Sequence, residues 1–244
     1  RLLGISDLKL DINGYAVSYT SNTNAHVLSP GIDQTVTFYS SNYLLVTTNT
    51  SLAHDFNFAL KLLGHSRSSL FIGYRHDGLG AAYCSPPCYF GNRRIKLTEC
   101  NVPELKSILS SIGSRNNDAK LHLMRDIWMH AMSEAPRSAT RFVEVTTLLE
   151  MLLLPKQSAE LGFRFALRLA KLSGKLGYTD PVKIFAQAKT LYAIRSKLVH
   201  SGDDHRVADY ALLTYDFARR LLLLYLNTPD IFDEGALDKL CVTS

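Results

Sequence analysis

Arg195 and His200 stand five residues apart in the stretch Thr190-Leu191-Tyr192-Ala193-Ile194-Arg195-Ser196-Lys197-Leu198-Val199-His200-Ser201-Gly202. Their side-chain types suit chemistry on a phosphate. A guanidinium holds two phosphate oxygens at once through its planar fork, which an ammonium does not do. An imidazole moves protons because it titrates near neutral pH. Arg195 also stands where an arginine is unexpected: on a helix its surface neighbours are Leu191, Tyr192, Leu198 and Val199, apolar on every side. A charge in that setting is costly unless paired or put to use, so the position calls for a carboxylate partner or a ligand. The plainer alternative is structural, with the arginine paired to a glutamate of a neighbouring helix and the histidine capping carbonyls in a last turn.

The helix that must carry both residues is written at each end. Asp180 before Pro181 supplies an N-cap and a first-turn proline, and Gly202 supplies a left-handed stop. At about 100° per residue, five residues separate the two side chains by about 140°. They converge on one phosphate only if the last turn loosens before Gly202, or if two copies of the helix meet across a two-fold axis and share their side chains.

An R-x4-H motif at the end of a helix, in the setting Leu-Tyr-x-x-Arg-Ser-Lys-Leu-Val-His, resembles the signature of the HEPN superfamily, and in particular its Apea-like branch. Phe142 to Leu153 and Gly162 to Ala170 are similar to the two helices that precede the motif in that branch. The resemblance covers roughly residues 115 to 228, given the usual uncertainty of element boundaries. It departs from the branch at Ser201, where a glycine is usual directly after the histidine. The resemblance implies a metal-independent endoribonuclease in which arginine and histidine from two protomers form a composite site, in a bacterial setting such as anti-phage defence or toxin-like activity. Cleavage of that kind needs attack by a 2′-hydroxyl, a proton-transfer group and a fixed cation facing the growing phosphate charge. Arg195 and His200 are the expected catalytic pair, with Tyr192 and Ser196 as hydrogen-bonding auxiliaries. Glu150 is the expected partner of Arg195, since it lies at the edge of an apolar helix face and resembles a polar residue that the family places opposite the motif helix; Glu144 competes for that role. The rival reading is a non-catalytic module that keeps the dimer interface and binds RNA or a nucleotide. A third makes the helical half a scaffold for a protein such as a nucleotidyltransferase, and it expects an apolar patch left uncovered even in a homodimer.

Charge distribution points the same way. The chain of 244 residues has a net charge of +5. From Pro155 to His200, nine basic residues face only Glu160 and Asp180, a surplus of seven in the stretch that ends on the motif. Arg164, Arg168, Lys171 and Lys175 recur at four-, three- and four-residue steps and line one helix face, so Arg164, Arg168 and Lys171, together with Lys197, are the expected RNA contacts. An ordinary solvated face is the competing account.

Hydrophobic periodicity predicts helices over 118–132, 139–154, 158–172, 181–200 and 207–226, an up-and-down bundle with prolines at its boundaries. Residues 1–114 read instead as mostly β, with a helical interruption from Leu52 to Leu63 and, from Val102 to Ile112, either another short helix or a final strand-to-helix crossover. The expected class is therefore α+β: a β-rich sensor or regulatory domain at 1–114, answering a phage or other trigger, and an all-α HEPN-like bundle at 115–244 that dimerises. The loop Cys84-Ser85-Pro86-Pro87-Cys88, with Cys100 and His76, is spaced too loosely for the tight paired ligands of zinc sites, so neither a metal nor a cofactor is assigned. The chain begins at Arg1 rather than methionine, which leaves room for an upstream portion, and no signal core or apolar run of spanning length is visible. A cytoplasmic protein without a membrane partner is the expectation.

Overall fold

Short polar side chains start three of the helices, as expected from their sequence. In the computed structural model, Asp118 accepts a hydrogen bond from the Leu121 N–H at 2.9 Å, Ser138 from Arg141 N–H at 3.2 Å and Asp180 from Lys183 N–H at 2.9 Å. The structure describes residues 10–12, 15–18, 44–46, 50–63, 71–76, 79–84, 102–132, 134, 137–156 and 159–242. In chain order the described helices are α1 (Thr50–Leu62), α2 (Val102–Gly113), α3 (Ala119–Ala131), α4 (Ala139–Leu153), α5 (Leu161–Leu172), α6 (Pro181–Ser201), α7 (Val207–Asn227) and α8 (Glu234–Val242), with a 3-10 turn at Pro229–Phe232 before the last.

The α+β expectation is corrected here. The described body of the protein is helical. Strand structure among the described residues comes to two small antiparallel ribbons: β1 (Leu10–Ile12), β2 (Tyr15–Ser18) and β3 (Leu44–Val46) in one, β4 (Phe71–His76) and β5 (Leu79–Cys84) in the other. Within 1–114 the long described elements are α1 and α2, at the two stretches whose sequence predicts or admits a helix. The remainder of the stretch expected to be β-rich, with Cys88 and Cys100, lies outside the described residues. Cα packing divides the chain into two units, Arg1–Phe56 and Asn57–Ser244. The boundary expected after Gly113 falls inside the second, where α2 runs through a short turn into α3.

Helix α4 is the centre of the second unit. It packs against α3, α5, α6 and α7, and its buried residues Phe142, Val145, Leu148, Leu149, Leu152 and Leu153 fall within one arc of about 140°. Glu150 lies beside that arc, past its Leu153 edge. Fully burying an aliphatic or aromatic side chain stabilises by about 1.5–3 kcal/mol, so this helix holds much of the core's apolar free energy. Against it, Trp128 of α3 stacks on Tyr215 of α7, ring centroids 5.0 Å apart. Helix α7 also receives the end of α1, where Arg219 donates to the Leu62 carbonyl at 3.1 Å, satisfying an acceptor that a helix end leaves open.

Helices α5 and α6 pack against each other, with Gly162 facing the Tyr192 ring. A Cβ there would meet Cδ1 of the Tyr192 ring at 3.0 Å, so the absence of a side chain lets the ring settle against the α5 backbone. Phe165 completes that contact, its centroid 5.4 Å from that of Tyr192. The loop between the helices is tied to α7. Arg220 donates to the Leu176 carbonyl at 2.7 Å and to Asp216 at 3.0 Å, and Tyr178 donates to the same Asp216 oxygen at 2.5 Å. Helix α8, which the periodicity did not foresee, is held by α5. Among the described residues no helix is long and apolar enough to cross a membrane.

Candidate functional site

Helix α6 carries the candidate site on a regular α-helical backbone through Ser201, ending at Gly202 with φ +70° and a Gly202 N–H bond to the Leu198 carbonyl at 3.0 Å. The last turn does not loosen. Of the two ways in which Arg195 and His200 could meet, convergence within one copy is therefore not the one seen. The buried residues Ile184, Ala188, Leu191 and Ile194 define the inward side of α6. Helical geometry puts Arg195 within that inward side, between Leu191 and Ala188, and His200 on nearly the opposite one, about 140° away. His200 is exposed, and Arg195 keeps 23% of its side-chain surface.

Glu150 of α4 is the partner that Arg195 needs. The Arg195 Nη2 donates to Glu150 Oε2 at 2.9 Å, with the carboxylate side chain 20% exposed. Two atoms of this pair remain open: Glu150 Oε1 and Arg195 Nε are buried and have no hydrogen-bond partner among the described residues. Burial pushes the Glu150 carboxyl above its ordinary range, and the guanidinium offsets this only in part. Desolvation thus outweighs attraction, as expected of a single-point contact in a partly dry setting. The competing Glu144 is engaged elsewhere, its Oε1 2.5 Å from Nδ1 of His130.

Tyr192 joins the two sides of the site. It lies one turn before Arg195, and burial first and the Glu150 charge second raise its phenol above the ordinary value, so the hydroxyl stays protonated at neutral pH. Tyr192, Ser196 and His200 also follow one another at four-residue steps, which sets them in a shallow row up the helix. Ser196 is half-buried within that row, and Val199, 48% exposed, lies between Arg195 and His200 on the helix surface.

The expected basic track on α5 is broken by the core. Arg168 is 1% exposed: its Nη1 donates to the Leu153 carbonyl at 2.7 Å and its Nη2 to Glu234 at 2.5 Å and Asp238 at 2.7 Å. It pins α8 to α5 and to the end of α4. Arg164 stands 3.5 Å from Asp238 on the same helix. Periodicity alone could not distinguish them from solvated cations, because their acidic partners lie about 70 residues further along, in an element it did not foresee. Lys171 and Lys197 are exposed, on different helices.

A second cluster of cations was not anticipated. Lys189, Ala193 and Lys197 follow one another at four-residue steps on the outer side of α6, and Asp203, His205 and Arg206 stand just past Gly202. Together with Thr190 and Ile194 they line an open groove of about 420 Å³. The spacing of Lys189 and Lys197 was a legible signal, whereas the return of the chain after Gly202 was not. Among the described residues no group of three or more His, Cys, Asp or Glu side chains is placed to hold a metal ion. No family model matches this chain, and neither a curated protein nor a solved structure matches it.

Proposed function

We propose that this protein acts on RNA as a metal-independent endoribonuclease, its site completed when the ends of two α6 helices meet. The observation that carries the reading is the division of labour on α6. Arg195 is oriented by Glu150 with its Nε left unbonded, while His200 stands exposed one turn beyond Lys197 on the side bearing the cationic groove. In such a site Arg195 binds the non-bridging oxygens of the scissile phosphate and His200 transfers the proton. Because about 140° of helix separates them, the arginine of one copy works with the histidine of the other. The exposed Val199 between them suits a surface that a second copy covers. The similarity of the motif and its flanking helices to the Apea-like HEPN branch supports this reading, and with it a cytoplasmic, defence-related or toxin-like role in which the N-terminal region receives the trigger.

The alternative that an observation favours is a non-catalytic RNA-binding module, because the Arg195–Glu150 pair occupies one edge of the motif's guanidinium. A cleavage assay separates the two: purified protein and end-labelled RNA with metal chelated, beside Arg195→Ala and His200→Ala variants checked for folding and association state. Products ending in 2′,3′-cyclic phosphate, lost in both variants, support the nuclease. RNA that is bound but left intact at every protein concentration overturns it in favour of the binding module.

A further inference from the structure

We propose that the groove on the outer side of α6 is a single-stranded RNA subsite that holds one nucleotide beside His200. The inference rests on the reading above for RNA as the ligand class, and the groove's own chemistry selects the single-stranded form. Ala193 and the buried Ile194 provide an apolar floor, while Lys189, Lys197 and Arg206 are exposed around it, with Thr190 offering a hydroxyl. Three cations therefore stand around one carboxylate, Asp203, which is engaged by the His205 Nδ1 and backbone N–H. A nucleotide in an unpaired strand presents the matching pattern, an apolar base face with a phosphate on each side. Its size also suits the groove, since about 420 Å³ lies near the lower end of the range of small-molecule sites. A base paired in a duplex has its faces covered by stacking and cannot reach such a floor. Lys197 connects the subsite to the motif, because His200 follows it by three residues on the same helix. The tip of Arg206 is steadied over the Tyr210 ring, 5.2 Å from its centroid, which leaves a preorganised donor at the groove's edge.

The test uses His200→Ala protein, so that binding is read without cleavage. A fluorescent single-stranded hexanucleotide is titrated by anisotropy against this protein and against the same protein carrying Lys189→Glu and Arg206→Glu. Neither substitution touches Arg195 or Glu150. The expected result is weakening by at least about tenfold, with a shallower salt dependence, each lost phosphate contact removing about 0.7 from the slope of log affinity against log salt. A duplex of the same sequence should bind more weakly than the single strand. A hexanucleotide carrying 5-bromouridine should photocrosslink to the peptide spanning 189–206. Affinity unchanged by the double reversal, crosslinks confined to other segments, or equal binding of duplex and single strand would each overturn the subsite. Those outcomes leave the cleavage assay untouched, and a protein that binds here but never cleaves would sink the nuclease while the subsite stood.

Discussion

The guanidinium of Arg195 and the carboxylate of Glu150 meet through one hydrogen bond of 2.9 Å, and each keeps a buried atom with no partner among the described residues. The pair is thus only half-closed. Burial holds the Glu150 carboxyl above its unfolded value of 4.5, so the folded state binds this proton more tightly than the unfolded chain does. Stability from this group is fully present below pH 4.5 and is lost as pH rises through the folded value. Glu150→Gln should remove that dependence while keeping an acceptor for Arg195. Thermal melts across the acidic range should show wild type losing ground to Glu150→Gln as pH rises; parallel curves would refute the assignment. Glu150→Ala, which strands the guanidinium, should cost about 1–3 kcal/mol at neutral pH.

Arg168 is among the most deeply buried charges of the described residues. Arg168→Ala should destabilise by about 3–5 kcal/mol, because it removes the buried guanidinium that Glu234, Asp238 and the Leu153 carbonyl share and opens a cavity where the side chain ran. Hydrogen exchange should show the amides of α8 losing protection first, since α8 is held to α5 through these contacts. Uniform loss across all helices would argue against a local anchor.

Gly162→Val should cost about 1–3 kcal/mol, the usual consequence of overpacking, since a Cβ there already stands 3.0 Å from the Tyr192 ring. Gly162→Ala is the finer probe. Its helix-propensity gain of about 1 kcal/mol opposes the close contact, so near-neutral stability is expected with a displaced Tyr192 ring. Chemical denaturation reads the first effect and near-ultraviolet circular dichroism the second. Val at 162 with wild-type stability would mean that the helices separate freely.

Gly202 occupies left-handed backbone at φ +70°, with open space around any added Cβ. Gly202→Ala should therefore cost about 1–2 kcal/mol through backbone strain alone. The strain falls on the turn that carries His200. On the proposed function, cleavage should drop more than stability does, whereas a stability loss with full cleavage would show that the last turn does not position the histidine.

His200→Ala should leave the melting temperature almost unchanged, within the roughly 0.5 kcal/mol typical of an exposed surface substitution. If His200 transfers the proton, RNA cleavage should fall by about 10²–10⁴-fold. A folded variant that cleaves at the wild-type rate removes His200 from the mechanism.

Local signals alone determined the helices from α3 to α7, and for a physical reason. Asp118, Ser138 and Asp180 cap with their own side chains, Pro181 fixes φ at the start of α6 and Gly202 admits the left-handed φ at its end, and apolar residues recur at helical spacing between them. The same locality made Arg195 conspicuous, because its apolar neighbours lie within one turn. Glu150 could be named as its partner through the resemblance and its place at the edge of an apolar face, yet the contact joins residues 45 positions apart and belongs to the packing of α4 on α6. Only the tertiary structure decided what the remaining cations do. Arg164 and Arg168 read as a solvent-facing stripe until α8 folds back to supply Asp238 and Glu234, whereas Lys189, Lys197 and Arg206 become one groove only once the chain turns at Gly202. The β-rich reading of 1–114 rested on short runs of β-branched and aromatic residues, whose local preference depends on strand partners for its expression, and most of that stretch lies outside the described residues.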